Sequence, residues 1–268
     1  MAMFLYQEVA GQDSLTSVYL VPADTAREDG PPEQDEDDLE EDEVDEGIVN
    51  FSSKHDILLD MGFTNYLFNG RFPDATDELF TLDPLGSSYI ALNSTTNSHL
   101  FGPVFVDWGG GLSWYNFKFQ DPKMRVTKAP DQVLFYSDSS GYNQYKRSKL
   151  KAMFLNAFVV PVIYAGNISR GRGFKNFHRG ARQSHSFRIG VGGYAGYRLT
   201  SKAKLVYVDG KKQKMKERGN FYLNSFRYGI RGQVGWNSID LFFNYDLNTL
   251  FQPGKGPELN TFSFGIIF

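Results

Sequence analysis

FRYGIRGQVGW at 226–236, IDLFFNYDL at 239–247 and TFSFGIIF at 261–268 decide the fold of this chain. In the first run Phe226, Tyr228, Ile230, Val234 and Trp236 alternate with Arg227, Gly229, Arg231, Gln233 and Gly235. In the second, Ile239, Leu241, Phe243, Tyr245 and Leu247 alternate with Asp240, Phe242, Asn244 and Asp246. In the third, Phe262, Phe264, Ile266 and Phe268 oppose Thr261, Ser263, Gly265 and Ile267. A period of two belongs to a strand, whose successive side chains leave opposite faces of the pleat. Each run is about ten residues, the length with which a tilted strand crosses a bilayer. One face is apolar and aromatic; the other is small, polar or charged. A soluble sandwich and a membrane barrel share that alternation. Three features favour the barrel. The apolar files carry Trp and Tyr, the Asn237-Ser238 connection is tight where the opposite one is long, and the last strand ends on the aromatic Phe268.

The same pattern recurs upstream. Ile57, Leu59, Met61 and Phe63 alternate with Leu58, Asp60, Gly62 and Thr64 to give a first strand. Tyr89–Ser94 is a weak second, followed by a turn at Ser94-Thr95-Thr96-Asn97. Pro103–Phe119 is the third, with Trp108, Leu112 and Trp114 opposite Asp107, Gly109, Gly111, Ser113 and Tyr115. Ser148–Tyr164 is the fourth, apolar on both faces. Phe187–Leu199 is the fifth, with Arg188, Gly190, Gly192, Tyr194, Gly196 and Arg198 on its polar side. With the three runs above, the count is eight. The reading is therefore all-β: a closed antiparallel transmembrane β-barrel spanning 51–268, behind an acidic N-terminal segment, 1–50. Eight strands make the smallest such barrel, with an interior that side chains can fill. The predicted outer loops are 69–86, 120–147, 201–219 and 251–259; the connection 167–183 is long for an inner turn.

Composition agrees. Glycine is abundant at 27 residues and aromatics reach 16%, which suits a small barrel. The mean hydropathy of −0.38 does not argue against one, because only alternate residues face lipid. Cysteine is absent, which excludes disulfides and thiol catalysis. The net charge of −3 hides a division: Asp24–Glu46 holds fourteen acids and only Arg27 as a base, so −13 lies there and +10 in the rest. That run reads as a disordered, self-repelling tail; its spacing does not match a calcium loop. Met1-Ala2-Met3-Phe4 does not begin a signal peptide. The chain is therefore read as an exported protein in mature form with an added start, or as a fragment, destined for the cell outer membrane.

RIGVGGYAGYRL (188–199), the run 225–251, GKGPE (254–258) and the terminal FSFGIIF (262–268) resemble the PorT-like outer-membrane β-barrel family of Bacteroidetes. The resemblance spans Lys54 to Phe268. It implies a small outer-membrane barrel and no particular activity, since one fold hosts many roles.

Two groups of residues are singled out. Asp60, Asp107, Arg188, Arg198, Arg227, Arg231, Asp240 and Asp246 are predicted to face the lumen as a paired charge network. Lys202, Lys204, Lys211, Lys212, Lys214, Lys216 and Arg218 make 201–219 a basic surface loop, suited to the phosphates of lipopolysaccharide. It has no interleaved aromatics for nucleic acid. His55, His99, His178 and His185 have no metal spacing, and none is expected at the outer rim where a catalytic base would stand. No enzyme, cofactor or metal is expected. The function expected is structural or interactive: membrane integrity, or loops contacting a partner protein or lipopolysaccharide. A component of a secretion machine, a soluble lipocalin-like ligand carrier and a narrow pore are the alternatives.

Overall fold

A computed structural model of the protein describes residues 53–74, 78–139, 141, 144–165, 187–236 and 239–268. The acidic segment 1–50 and the connection 167–183, with His178 and His185, lie outside them. Among the described residues every regular element is a strand: β1 (Ser53–Phe68), β2 (Ser88–Phe101), β3 (Val104–Lys118), β4 (Met124–Lys128), β5 (Val133–Ser137), β6 (Gln144–Ala165), β7 (Phe187–Asp209), β8 (Lys211–Arg218), β9 (Phe226–Trp236), β10 (Ile239–Asp246) and β11 (Leu259–Ile267).

Eight of these close into an antiparallel ring. Its order is β1, β2, β3, β6, β7, β9, β10, β11 and back to β1, with the β6–β7 pairing completing the circle. The ladder has a fixed stagger. Followed sideways from Trp114 through Ile90, Met61, Ile266, Leu241, Val234, Ile189 and Ile163, the register returns to β3 at Val104, ten positions before its start. Such a stagger tilts strands around a closed ring and leaves no ring strand with an open edge. Every residue on that path is apolar, and those from Trp114 to Ile163 are exposed.

The burial pattern inverts that of a soluble barrel. Along β9 Ile230 is 44% and Trp236 69% exposed, while Arg227 and Arg231 are each 4% exposed. The fourth predicted strand, ambiguous in sequence, takes the same sense. On β6 Phe154, Asn156, Phe158, Val160 and Val162 point inward and Leu155, Val159 and Ile163 outward.

Three predicted segments differ. Ser94–Asn97 is no turn but the middle of β2. Its polar residues suit a strand whose inner face is wet: Thr95 and Asn97 are buried in the lumen, while outward Ser94 and Thr96 bond His55, both at 3.2 Å. The turn lies beyond it, at Gly102, whose φ of 52° favours glycine. The segment 120–147 is not all loop; it contains the β4–β5 hairpin and the start of β6. Nor is 201–219 a loop. β7 runs on to Asp209, turns at Gly210 (φ 65°) and returns as β8. Its lysines hid a strand that alternates cations with Ala203 and Leu205.

Candidate functional site

The lumen is filled by three tiers of charge. In the first, Arg188 sits between Asp240 (2.6 Å) and Asp107 (3.7 Å). Asn97 donates to Asp107 at 2.5 Å and to the Tyr164 hydroxyl at 3.3 Å. In the second, Arg231 meets Asp60 at 2.9 Å. Asn93 donates to the same carboxylate at 2.9 Å, and Arg231 also donates to Asn244 at 3.2 Å. The Gln233 amide joins these tiers when oriented to satisfy both neighbours, its nitrogen then facing Asp107 (3.2 Å) and its oxygen accepting from Arg231 Nε (2.9 Å). In the third, Arg227 lies 3.8 Å from Asp246 and donates to the Tyr115 hydroxyl, to Asn156 (2.8 Å) and to Ser113 (3.3 Å). Tyr194 donates to Asp246.

The guanidinium planes explain the apolar residues inside. Arg227 stands 4.6 Å from the ring centres of both Tyr115 and Phe154, and Arg231 stands 5.3 Å from Phe158 and 5.4 Å from Phe242. These distances suit cation–π attraction. Buried charges need partners and hydrogen bonds, and this packing provides both. Glycine makes room for it. A Cβ on Gly235 would lie 2.5 Å from Arg188 Cγ, and one on Gly196 would lie 2.4 Å from Asn156 Oδ1.

The tiers join seven of the eight predicted lumen charges. Arg198 stands apart: its guanidinium donates to the carbonyls of Leu223 (3.2 Å) and Asn224 (3.3 Å) and to Ser201 Oγ (3.1 Å). It ties the middle of β7 to the chain entering β9. The reason is position: Arg198 lies two residues beyond Gly196, the register partner of Arg227, just past the charged tiers. The supporting Asn93, Asn97, Asn156, Asn244 and Tyr115 were not singled out in sequence; Asn244 and Tyr115 stood on polar files and carried the signal, whereas Asn97 read as part of a turn and Asn156 lay on a strand apolar on both faces.

Above the tiers the loop end is capped by an apolar plug. Met124, Val126 and Val133 of the β4–β5 hairpin are buried against Phe117, Phe119, Leu82, Leu223 and Phe251. Val133 N donates to Lys255 O at 2.7 Å, and the Tyr222 hydroxyl donates to Ala129 O at 3.0 Å.

Outside the plug, β6, β7 and β8 rise beyond the ring's apolar files and carry the basic residues. The register sets Lys118, Lys149, Lys204 and Lys216 in one cross-strand row, and Lys151, Lys202 and Arg218 in the next. Lys118 is neutralised by Asp83, whose carboxyl it holds below the usual range by donating to it. The Lys149 and Lys204 ammonium groups are held below their ordinary pKa, first by burial and then by neighbours such as Lys151. Lys211 and Lys212 lie at the hairpin tip, away from the rows. Among the described residues no three of His, Asp and Glu group to hold a metal. His99 Nε2 donates to Gly102 O (3.1 Å), at the end remote from the loops.

No family model, curated protein or solved structure matches the chain.

Proposed function

We propose that this chain is an outer-membrane barrel that crosses the bilayer with its eight ring strands and acts through its loop end, as a structural or docking element and not as an enzyme. One observation carries the reading: the exposed files are apolar around the ring, as at Ile230 and Trp236, while arginines between them are buried. An arginine inside and an isoleucine outside is the arrangement of a protein whose outer solvent is hydrocarbon. In water so continuous an apolar belt would drive association. The resemblance to PorT-like barrels belongs to the same proposal and leaves room for service in a secretion machine.

The lumen supports a plug over a pore. Its arginines are stacked and paired across the bore, and the β4–β5 hairpin caps the loop end. The same contents weigh against a lipocalin-like carrier, which needs an apolar cavity with an open mouth.

The test is a gel shift with membrane fractionation. Detergent-refolded protein is run unboiled and boiled in SDS, because a closed barrel stays compact until heated. A shifted unboiled band, with the protein in the outer-membrane fraction, is expected. No shift, with solubility in the absence of detergent, would reject the reading.

A further inference from the structure

The basic rows above the ring lie on strands that also carry an outward trough. Across β3, β6 and β7 the register aligns Gly110, Ala157 and Ala195, and the next row up is Leu112, Leu155 and Tyr197. Small residues beside large ones leave an outward depression of about 530 Å³ with almost wholly apolar walls. On each of these strands the outward file passes from this trough to a lysine. β6 reads Leu155, Met153, Lys151, Lys149, so trough and first lysine are about 13 Å apart at 3.3 Å per residue.

Part of the charge has a plain structural use. β8 is paired only with β7, and lysine along an open edge deters association with other strands. That explains Lys214 and Lys216. It does not explain Lys149, Lys151, Lys202 and Lys204, which lie on two strands paired along both sides. There Lys149 faces Lys204 and Lys151 faces Lys202. Like charges directly opposite are destabilising. Among the described residues no carboxylate lies within ion-pair distance of these four lysines. A site that keeps such repulsion in the free protein is suited to a ligand that brings several negative charges.

We propose that these four lysines and the trough below them bind a multiply phosphorylated membrane lipid of the lipopolysaccharide class, phosphates on the lysine rows and an acyl chain in the trough. This rests on the membrane reading above. The adjoining apolar trough selects an amphiphile over a soluble polyanion. The number of ammonium groups without a carboxylate partner among the described residues selects several phosphates over the single one of an ordinary phospholipid. Lysines on the outward files, beyond the apolar residues of those files, place charge at the level of lipid head groups.

The test uses the full chain refolded in zwitterionic detergent, titrated with diphosphorylated lipid A, its dephosphorylated form and inorganic tripolyphosphate. Wild type is expected to prefer diphosphorylated lipid A to both others, less so as salt rises. Replacing the four lysines with Gln should weaken that binding by on the order of a thousandfold, and replacing them with Arg should keep it. Ala157→Trp should weaken lipid A and leave tripolyphosphate binding unchanged. Salt-independent lipid binding by wild type would overturn the proposal even if the Gln variant failed to fold. So would equal binding by a folded Gln variant, or tripolyphosphate bound as tightly as lipid A. A wild type that shows a heat-shifted band yet none of this preference overturns the lipid site alone. A wild type with no heat shift fails at the membrane reading first.

Discussion

Arg231 on β9 meets Asp60 on β1 at 2.9 Å across the bore, although three strand steps around the ring separate them. Ladder hydrogen bonds join only neighbouring strands. The side-chain tiers join strands that are not neighbours: Arg188 ties β7 to β3 and β10, and Arg227 ties β9 to β3. The interior thus acts as cross-bracing, and each brace is also an obstruction.

Arg231→Met removes the cation and leaves Asp60 with Asn93 as its remaining described partner. Breaking one side of a buried pair costs about 3–5 kcal/mol, whereas replacing both sides with apolar groups costs far less. Arg231→Met should therefore lower the urea midpoint of the refolded barrel strongly, and adding Asp60→Leu should recover much of the loss. Urea titration scored by the compact unboiled band measures both. A double variant weaker than the single one would show that the two groups are not coupled.

Gly229 and Gly232 offer a matched pair on one strand. A Cβ at Gly229 would fall 2.7 Å from the Tyr194 hydroxyl and closer still to Tyr245 O, whereas at Gly232 the nearest atom is Phe243 O at 3.9 Å. Gly229→Ala should push Tyr194 off Asp246 and cost about 1–3 kcal/mol, the usual range for overpacking. Gly232→Ala, on the outward file, should change the urea midpoint little. Equal effects at the two sites would mean that the inner packing has slack.

Val191 is 61% exposed on the outward file of β7. In a water-soluble protein Val191→Arg would be close to neutral. On the lipid face of a barrel near mid-bilayer it should cost about 2–4 kcal/mol. Urea-driven unfolding from phospholipid vesicles gives the value, and a neutral result would remove the bilayer from around this strand.

The ring was legible in the sequence wherever the two faces differ in polarity. β9 and β10 read plainly because Arg227, Arg231, Asp240 and Asp246 alternate with aromatics and aliphatics. β2 was cut short because Ser94–Asn97 is polar on both faces, which in isolation looks like a turn. β6 was legible as a strand but not in its facing, since Phe154 and Phe158 are inward partners of arginines on another strand. The lumen charges could be listed from parity. Their partners could not, because Arg231 and Asp60 are brought together only by ring closure. The basic rows were half visible: Lys202, Lys204 and Lys216 were singled out, but Lys149 and Lys151 join them only through the β6–β7 register.

Crowding among those lysines has a pH signature. Burial first, and then neighbours including Lys151, hold Lys149 and Lys204 below the ordinary lysine value of 10.5. Between the folded value and 10.5 the unfolded chain binds more protons than the folded one. Stability therefore rises with pH across that window, as the burial of charge and then the repulsion are relieved in the folded state. A variant with Lys149→Gln and Lys204→Gln lacks this gain. The difference in urea midpoint between wild type and variant should move in favour of wild type as pH is raised toward 10.5. Subtracting the variant removes every contribution that the two proteins share. Diphosphorylated lipid A supplies the missing counter-charge, so adding it should raise both lysine pKa values and flatten the rise. A difference that does not change with pH would mean that neither ammonium group is held below its ordinary value.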